Sequence, residues 1–419
     1  MDTEVTETPR VERRILLADA DAFYVAVARM VDPEGAGKAK LLVVGGRSNR
    51  GVVTSASYEA RAYGVRSAMP TATARRLCPN AVFVPVPRKE CVEKSRAVLQ
   101  ILRELAPIVE PASIDEFYLD LTGTENLFKG EDLAATAWRI RQAILENTGL
   151  SVSIGGATSR LIAKLAAKQA KPRTERKGTG VYIVPPGAEL QFMSHLRLSD
   201  IPMIGPRFQD RLAAHGLHTV AQALELERDR LAQWFGKRSG RWLHDRIRGV
   251  DSTPVAGRSQ AKSLSHEETF PEDLTDGEDL EHEVLGLAVH AAADLRMKGM
   301  RARTVTVKIR YSDFTTRQAS ETLRISVATD RPILATALTL LQKLSRRRRS
   351  PVRLLGVSLS QLVGGSAPAD QLSLFAEELD ETLESERDRT LSAAIDRITS
   401  RYGRSGIIRA SQINPVTER

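Results

Sequence analysis

Arg14 to Asp21 reads RILLADAD, an apolar run that closes on two acids. Ile15 to Ala18 offer no polar side to solvent, as in a strand covered on both faces, and Asp19 and Asp21 place its carboxyl end at an opening. A helix is expected from about Ala22, followed by the glycine-rich loop VDPEGAGKAK (31–40). LLVVGG (41–46) and GVVTS (51–55) bracket GGRSN as a hairpin, and TSASYEARAYGV (54–65) reads as a helix with Thr54 or Ser55 as N-cap and Gly64 just past its end. AVFVPVP (81–87) is a strand, Cys91 to Leu105 a helix, and VEPASIDEFYLDLTG (109–123) a hairpin with acids near its tip. A helix over 132–147, a strand over 150–158, a helix over 159–171 and a strand over 180–184 complete an α/β or α+β core of about 170 residues.

Beyond Pro185-Pro186-Gly187 the pattern from Leu190 to Gly249 is helical with short turns. The stretch DSTPVAGRSQAKS (251–263) is a Pro/Gly/Ser linker of the kind that joins separate modules. Residues 264–362 alternate strands (TVTVKIRY, ETLRISV, RLLGVSLSQL) with helices at 278–297 and 331–345, a small α+β module. GGSAPADQ (364–371) is a second linker, and one more helix falls near 389–402. A chain of 419 residues divided by about 150 per domain agrees with roughly three modules.

Lys+Arg 61 against Asp+Glu 52 leaves a net charge of +9, which points to a polyanionic partner. The surplus is local. From Arg296 to Arg353 there are 15 Lys/Arg against 3 acids, whereas Glu377 to Asp388 holds seven acids against Arg387 and should avoid DNA. Hydrophobic content of 42% and charge of 27% exclude wholesale disorder or a fibrous chain. Two cysteines, Cys78 and Cys91, are too few for a disulfide scaffold or a four-cysteine zinc site. No run of about 18 apolar residues or apolar leader is evident, so no membrane partner and a cytoplasmic location are expected.

Three carboxylates stand out: Asp19 at the end of the first strand, and the adjacent Asp115 and Glu116. Neighbouring side chains in a strand point to opposite faces, so Asp115 and Glu116 converge only where the backbone bends, and Pro111 and Ser113 make that bend credible. Acids on neighbouring strands plus a backbone carbonyl form a hard oxygen cup that suits Mg²⁺ rather than zinc. Tyr58 and Arg61, at helical spacing i, i+3, share a face fit to hold phosphate oxygens, with Lys171 as a third cation. Each of these features alone is commonplace: an acid at a strand end is usually a solvated turn residue, and a Tyr-x-x-Arg pair usually a surface face.

Together, DADAFY (19–24), SYEARAYGVRSAMP (57–70), SIDEFYLD (113–120), SIGGATSRLIAKLAAKQAKP (153–172) and KSLSHEETF (262–270) resemble, in order, the motifs of Y-family translesion DNA polymerases, on the bacterial DNA polymerase IV (DinB) branch. The resemblance runs from about residue 14 to 362. It implies a multi-domain α+β right hand: after a disordered arm (1–13), a palm (14–22 and 88–184), fingers (23–87), a helix-hairpin-helix-like thumb (187–250), a linker (251–263), a little finger (264–362), and a tail (363–419) holding linker, clamp-binding peptide and acidic helix. It further implies a low-fidelity, template-directed polymerase without proofreading, adding dNTPs to a primer 3′-OH with two Mg²⁺ ions, and a monomer.

By the same resemblance the metal ligands are Asp19, the carbonyl of Ala20, Asp115 and Glu116; Asp21 matches the motif without being a usual ligand. Phe23 and Tyr24 match the aromatic pair whose second member, the steric gate, excludes the ribose 2′-OH. Tyr58, Arg61 and Lys171 match the triphosphate-holding residues, and Ser55 and Ala56 fall where small fingers side chains cover the nascent pair. In IPMIGPRFQDRLAAHGL (201–217) Gly205 sits in the DNA-binding turn, but Met203 stands where glycine is usual, a costly choice if φ is positive there. Arg310, Arg317 and Arg353 are the little-finger candidates for the DNA backbone. An aromatic content of 5% favours duplex backbone contact over base stacking. Gln371, Leu372, Leu374 and Phe375 of QLSLF match a sliding-clamp peptide, and 44 residues follow it. Phe117 stands where relatives commonly carry a smaller residue. The rival reading, a non-catalytic polymerase-like accessory protein, is opposed by the joint presence of Asp19, Asp115, Glu116, Tyr58, Arg61 and Lys171.

Overall fold

The computed structural model describes residues 12–46, 48, 50–125, 127, 130–172, 178–257, 260–348, 350–364, 384–403 and 407. The chain divides into two compact units, residues 1–259 and 260–419. Among the described residues no helix is long and apolar enough to cross a membrane.

In the first unit the elements run β1 (Ile15–Ala20), α1 (Phe23–Val31), β2 (Leu42–Gly45), β3 (Val53–Ala56), α2 (Tyr58–Ala62), α3 (Thr71–Leu77), β4 (Val82–Val84), α4 (Arg88–Leu105), β5 (Ile108–Pro111), β6 (Glu116–Asp120), α5 (Leu133–Thr148), β7 (Val152–Ala157), α6 (Arg160–Ala170) and β8 (Val181–Ile183). The larger sheet has the order β5-β6-β1-β7-β8. All six residues of β1 are buried because it lies between two strands, antiparallel to each, and both its faces are covered. Ile15 and Leu17 join a core with α6, while Leu16, Ala18 and Ala20 join one with α1, α4 and α5. A smaller sheet, β3-β2-β4, pairs β2 antiparallel to β3 and parallel to β4.

The α2 helix starts later than its composition suggests. Thr54 and Ser55 remain in β3, where Ser55 pairs with Val44, and the N-cap is Ser57, whose hydroxyl accepts from the Ala60 amide. Sheet pairing takes precedence over local capping preference here. Gly64, at φ 86°, stands just past the helix end as expected.

Beyond β8 come α7 (Glu189–Ser194), α8 (Pro206–Ala213), α9 (Val220–Leu224), α10 (Arg228–Phe235) and α11 (Lys237–Ile247). Their apolar residues, Leu212, Val220, Leu231 and Leu243 among them, share one core with Ile15, Leu17 and α6, so the helical module is packed on the α6 side of the sheet. The linker expected at 251–263 is anchored in its first half. Val255 is buried, Arg160 donates to the Pro254 carbonyl, the Ala256 amide donates to Glu110, and Arg13 reaches the carbonyls of Asp251 and Thr253. A Pro/Gly/Ser composition signals weak local structure but does not report such tertiary ties.

The second unit holds β9 (Ser263–Leu274), α12 (Gly277–Met297), β10 (Met300–Tyr311), β11 (Thr316–Val327), α13 (Asp330–Arg347), β12 (Val352–Gly364) and α14 (Glu386–Tyr402). Its antiparallel sheet, β11-β10-β12-β9, carries α12 and α13 on one face, with Val305, Val307, Ile309, Leu355 and Val357 in the core. β9 lies in the stretch that carries the KSLSHEETF motif, and its weak alternation hid it as a strand. Glu384 and α14 pack onto this unit through ion pairs to Arg301, Arg331 and Arg296.

Candidate active site

Antiparallel pairing sets Asp19 of β1 directly opposite Glu116 of β6, so the two carboxylates share a face of the sheet. Asp115 precedes Glu116 in a tight turn: the amides of Ala112 and Ser113 both reach the Glu116 carbonyl, and the Ala20 amide donates to the Asp115 carbonyl at 2.9 Å. Ser113 holds the turn, its hydroxyl 2.5 Å from Asp115 Oδ1 and accepting from the amides of Asp115 and Glu116. This is the bend that adjacent acids need to converge. Phe117 pairs with Ala18 and is buried in the opposite core, behind the hairpin.

Opposed carboxylates repel unless cations intervene, and α6 supplies them. Lys171 Nζ lies 2.6 Å from Asp19 Oδ1, and Lys164 Nζ binds both oxygens of Glu116 at 2.9 and 2.7 Å. Lys168, between them, pairs with Asp200 at 2.7 Å. Lys164 lies within α6 and Lys171 is its C-cap, and both reach the acids of the sheet, while Lys168 is exposed. Sequence reasoning noted only the last of the three; the i, i+4, i+7 lysine pattern was the signal that could have found the others.

Gly155 explains how α6 comes so close. A Cβ on it would lie 2.0 Å from the Ala167 nitrogen and 2.1 Å from the Ala163 carbonyl oxygen, so a side chain is excluded where helix and strand cross. Burial pushes the Asp19 carboxyl up to about 6; Lys171 opposes this, and the charges of Glu116 and Asp115 add to it. The Lys164 ammonium loses by burial and gains more from Glu116, ending above its usual range.

Among the described residues no group of three His, Cys, Asp or Glu stands ready to hold an ion, and Glu116 and Asp19 are paired with Lys164 and Lys171. The donor set nonetheless fits a hard cation. It is all oxygen, with Asp19 and Glu116 on one face of the sheet and Asp115 in the adjoining turn.

Asp21 lies on this face too but is taken up by β7. Its carboxylate accepts from Ser151 and Ser153 at 2.7 and 2.8 Å, which ties the end of β1 to β7. Ala22 follows at φ 45°, ψ 44°, a left-handed turn for a residue with a Cβ, and α1 begins at once. Phe23 is 2% exposed and belongs to the core, in edge contact with half-buried Tyr24 at 5.4 Å. The Tyr24 hydroxyl is pushed up first by burial and then by Asp115, which places it by the carboxylates.

A cleft of about 460 Å³ gathers Tyr58, Arg61, Lys168, Lys171, His195 and Arg197. Arg61 lies 4.9 Å over the Tyr58 ring, and its Nε donates to the Ala56 carbonyl. The Tyr58 hydroxyl is buried without a hydrogen-bond partner among the described residues, and burial pushes it well up. Tyr58, Arg61 and Lys171, drawn from separate parts of the chain, thus line one cationic space next to the acids. Ser55 and Ala56 are buried in β3.

These motifs belong to known proteins. The impB/mucB/samB family matches residues 18–168, its C-terminal domain matches 261–374, and the thumb domain described for DNA polymerase-iota matches 199–251. The DNA polymerase IV of Desulfatibacillum aliphaticivorans is 38% identical over 97% of this chain and 98% of its own length. The chain belongs to the Y-family DNA polymerases. Its DNA polymerase IV relatives include that of Dehalococcoides mccartyi, 37% identical over 94% of this chain and 96% of its own. Among solved structures a Y-family polymerase chimera of Dbh and Dpo4 aligns with TM-score 0.72 and 27% identity, covering 84% of this chain and 99% of that one. DinB from Sulfolobus solfataricus aligns with TM-score 0.55 at 26% identity, covering 83% and 98%. The protein is a translesion DNA polymerase, a DNA-directed, metal-dependent nucleotidyltransferase with the palm, fingers and thumb of its family.

The candidate DNA contacts of this Y-family chain are less tightly grouped. Arg310 lies on the open face of the second unit's sheet, with Lys308, Thr306, Ser320 and Ser358. Arg317 pairs with Ile309 and so falls on the helix-bearing face, and Arg353 lies at a bulge, stacked over Phe314 at 4.8 Å. The three do not converge. Gly205 is the N-cap of α8, and Met203 is 78% exposed at φ 74°, the left-handed conformation suspected from its position. Gln371, Leu372, Leu374 and Phe375 lie outside the described residues.

Proposed function

We propose that Asp19, Asp115 and Glu116, with the carbonyl of Ala20, hold two Mg²⁺ ions for the transfer of a deoxynucleotide from a dNTP to a primer 3′-OH. The ions, when bound, would lower the pKa of the attacking hydroxyl and neutralise charge on the leaving phosphate. The chain's own residues bind and orient the substrates. Tyr58, Arg61 and Lys171 hold the triphosphate, and Tyr24 closes the space that a ribose 2′-OH would need. Lys171 would exchange Asp19 for phosphate oxygens on substrate entry, a shift within one cationic cleft.

The observation that carries this reading is the cross-strand pair Asp19–Glu116 beside the cleft of Tyr58, Arg61 and Lys171. Insertion and ternary complexes have been solved for the related Dbh polymerase, and by that likeness the partners here are primer-template DNA and nucleotide. The DNA backbone would lie along the hydroxyl-lined open face of the second unit, with Arg310, and against the α8 turn at Gly205; Arg317 and Arg353 would add peripheral contacts. Synthesis would be of low fidelity and without proofreading, by a cytoplasmic monomer. Recruitment to the sliding clamp would use Gln371, Leu372, Leu374 and Phe375.

Asp115→Ala or Glu116→Ala should abolish Mg²⁺-dependent primer extension while duplex DNA binding persists; substantial residual synthesis would refute the ligand assignment. Clamp stimulation that survives deletion of residues 371–375 would refute the docking assignment.

A further inference from the structure

The C-terminal segment is seated on the second unit in a way its sequence does not announce. Glu384 has a fully buried side chain, and its Oε1 accepts from the amides of Ala328 and Thr329 at 2.5 and 2.6 Å, at the N-terminus of α13. Its second oxygen pairs with Arg301 at 2.6 Å. Ser385 then caps α14 in a reciprocal capping box with Asp388, and Asp388 pairs with Arg331 at 3.1 Å. Further along, Asp396 takes a two-pronged bond from Arg296 at 2.7 Å on each arm, while Arg296 also holds Asp330 at 2.6 Å. Three acids spaced over three turns therefore meet three arginines and a helix N-terminus.

Apolar burial in this contact is shallow. In α14 only Ser392 is fully buried, Ile395 and Ile398 are half-buried, and Leu391 is 51% and Tyr402 63% exposed. A helix held by its acids and a shallow apolar contact is a docked peptide more than a core element. Glu384 shows how well the site suits an anion. Burial alone would push its carboxyl up, yet the amides of Thr329 and Ala328 and the charge of Arg301 hold it below the usual range.

We infer that the second unit carries a carboxylate-binding peptide site, formed by the α13 N-terminus with Arg296, Arg301 and Arg331, and that residues 384–403 of this same chain, with four acids and four arginines, are its resident, detachable occupant. The segment acts as an ionic latch. While it is seated, the three arginines meet its acids; released, the site offers Arg301 and Arg331, with Arg296 still shared with Asp330, to another polyanion. The two chain ends of residues 365–383, which include the QLSLF peptide, are then both anchored to one body. This inference does not depend on the catalytic assignment.

A fluorescent peptide of residues 382–403 should bind in trans to a chain ending at residue 383 but not to the full chain, whose site is filled. That binding should weaken at least about 10-fold between 50 and 500 mM salt, because the partly exposed pairs Asp388–Arg331 and Asp396–Arg296 are screened although Glu384 is buried. Binding to neither chain, or equal binding to both, overturns the inference. Because the shortened chain could fail to fold, a second measurement uses the full chain. In Glu384→Gln the Ala328 and Thr329 amides should exchange hydrogen about 10-fold faster, since a charge-assisted acceptor becomes a neutral one, while the β10 and β12 amides are unchanged. Unaltered exchange at Ala328 and Thr329 also overturns it.

Discussion

Asp19, Asp115 and Glu116 were legible in the sequence because an apolar strand ending in acid, and a Pro/Ser turn ahead of an acid pair, are local patterns. Lys164 was not singled out. A lysine two helical turns from another reads as a solvated stripe until the sheet beneath it proves to carry Glu116. Tyr24 is argued at this scale too. It is half-buried beside the carboxylates with Phe23 fixed behind it, so Tyr24→Ala should raise ribonucleotide incorporation at least 10-fold in single-nucleotide insertion assays; an unchanged dNTP/rNTP ratio removes its role as a gate. Met203 is held at φ 74° and is largely exposed, so its side chain gains little from packing while the backbone is strained. Met203→Gly should stabilise the first unit by about 0.5–1 kcal/mol, a rise of roughly 2 °C in Tm by calorimetry.

At the scale of elements, the pairing of α6 with β7 decides the site. Strand and helix were each expected from their patterns, but their separation is set by Gly155, whose lack of a side chain lets the helix backbone touch the strand. Gly155→Ala should cost about 3 kcal/mol or more through overpacking, lowering Tm, and should reduce primer extension because Lys164 and Lys171 leave their acids together. A variant with unchanged Tm and activity would show that α6 can shift without consequence. The boundaries that sequence reasoning placed differently, at α2 and in the first half of the linker, are places where a tertiary partner outweighs local preference: β2 for Ser55, Glu110 and Arg160 for residues 254–256. β9 was missed for a related reason. Its alternation is broken because the core-facing positions opposite Val357 and Leu355 are His266 and Glu268.

For the whole molecule, the count of 15 Lys/Arg against 3 acids between Arg296 and Arg353 overstates the cations available to DNA. Arg296 is bound to Asp330 and Asp396, Arg301 to Glu384, Arg331 to Asp388, Arg348 to Asp313 and Lys308 to Glu267. Charge was read correctly as a pointer to a polyanion, but its distribution was not, since acids far along the chain return to neutralise it. Duplex binding measured against salt should discriminate. Arg310→Ala should lower the log–log slope by about 1, as one phosphate contact is lost, whereas Arg296→Ala should leave the slope unchanged and lower Tm instead. Equal slopes for both variants would mean that Arg310 does not reach the backbone.

The sequence by itself determined the order of modules, the buried first strand, the carboxylates and the Tyr58–Arg61 face, because each rests on periodicity or on neighbours within a few residues. Only the tertiary structure decided which cations face those acids, why Gly155 has no side chain, and where the C-terminal acids go. Those outcomes depend on pairs such as Lys171 with Asp19 and Glu384 with Arg301, far apart in the chain, which electrostatics and packing bring together only once strands and helices have been stacked.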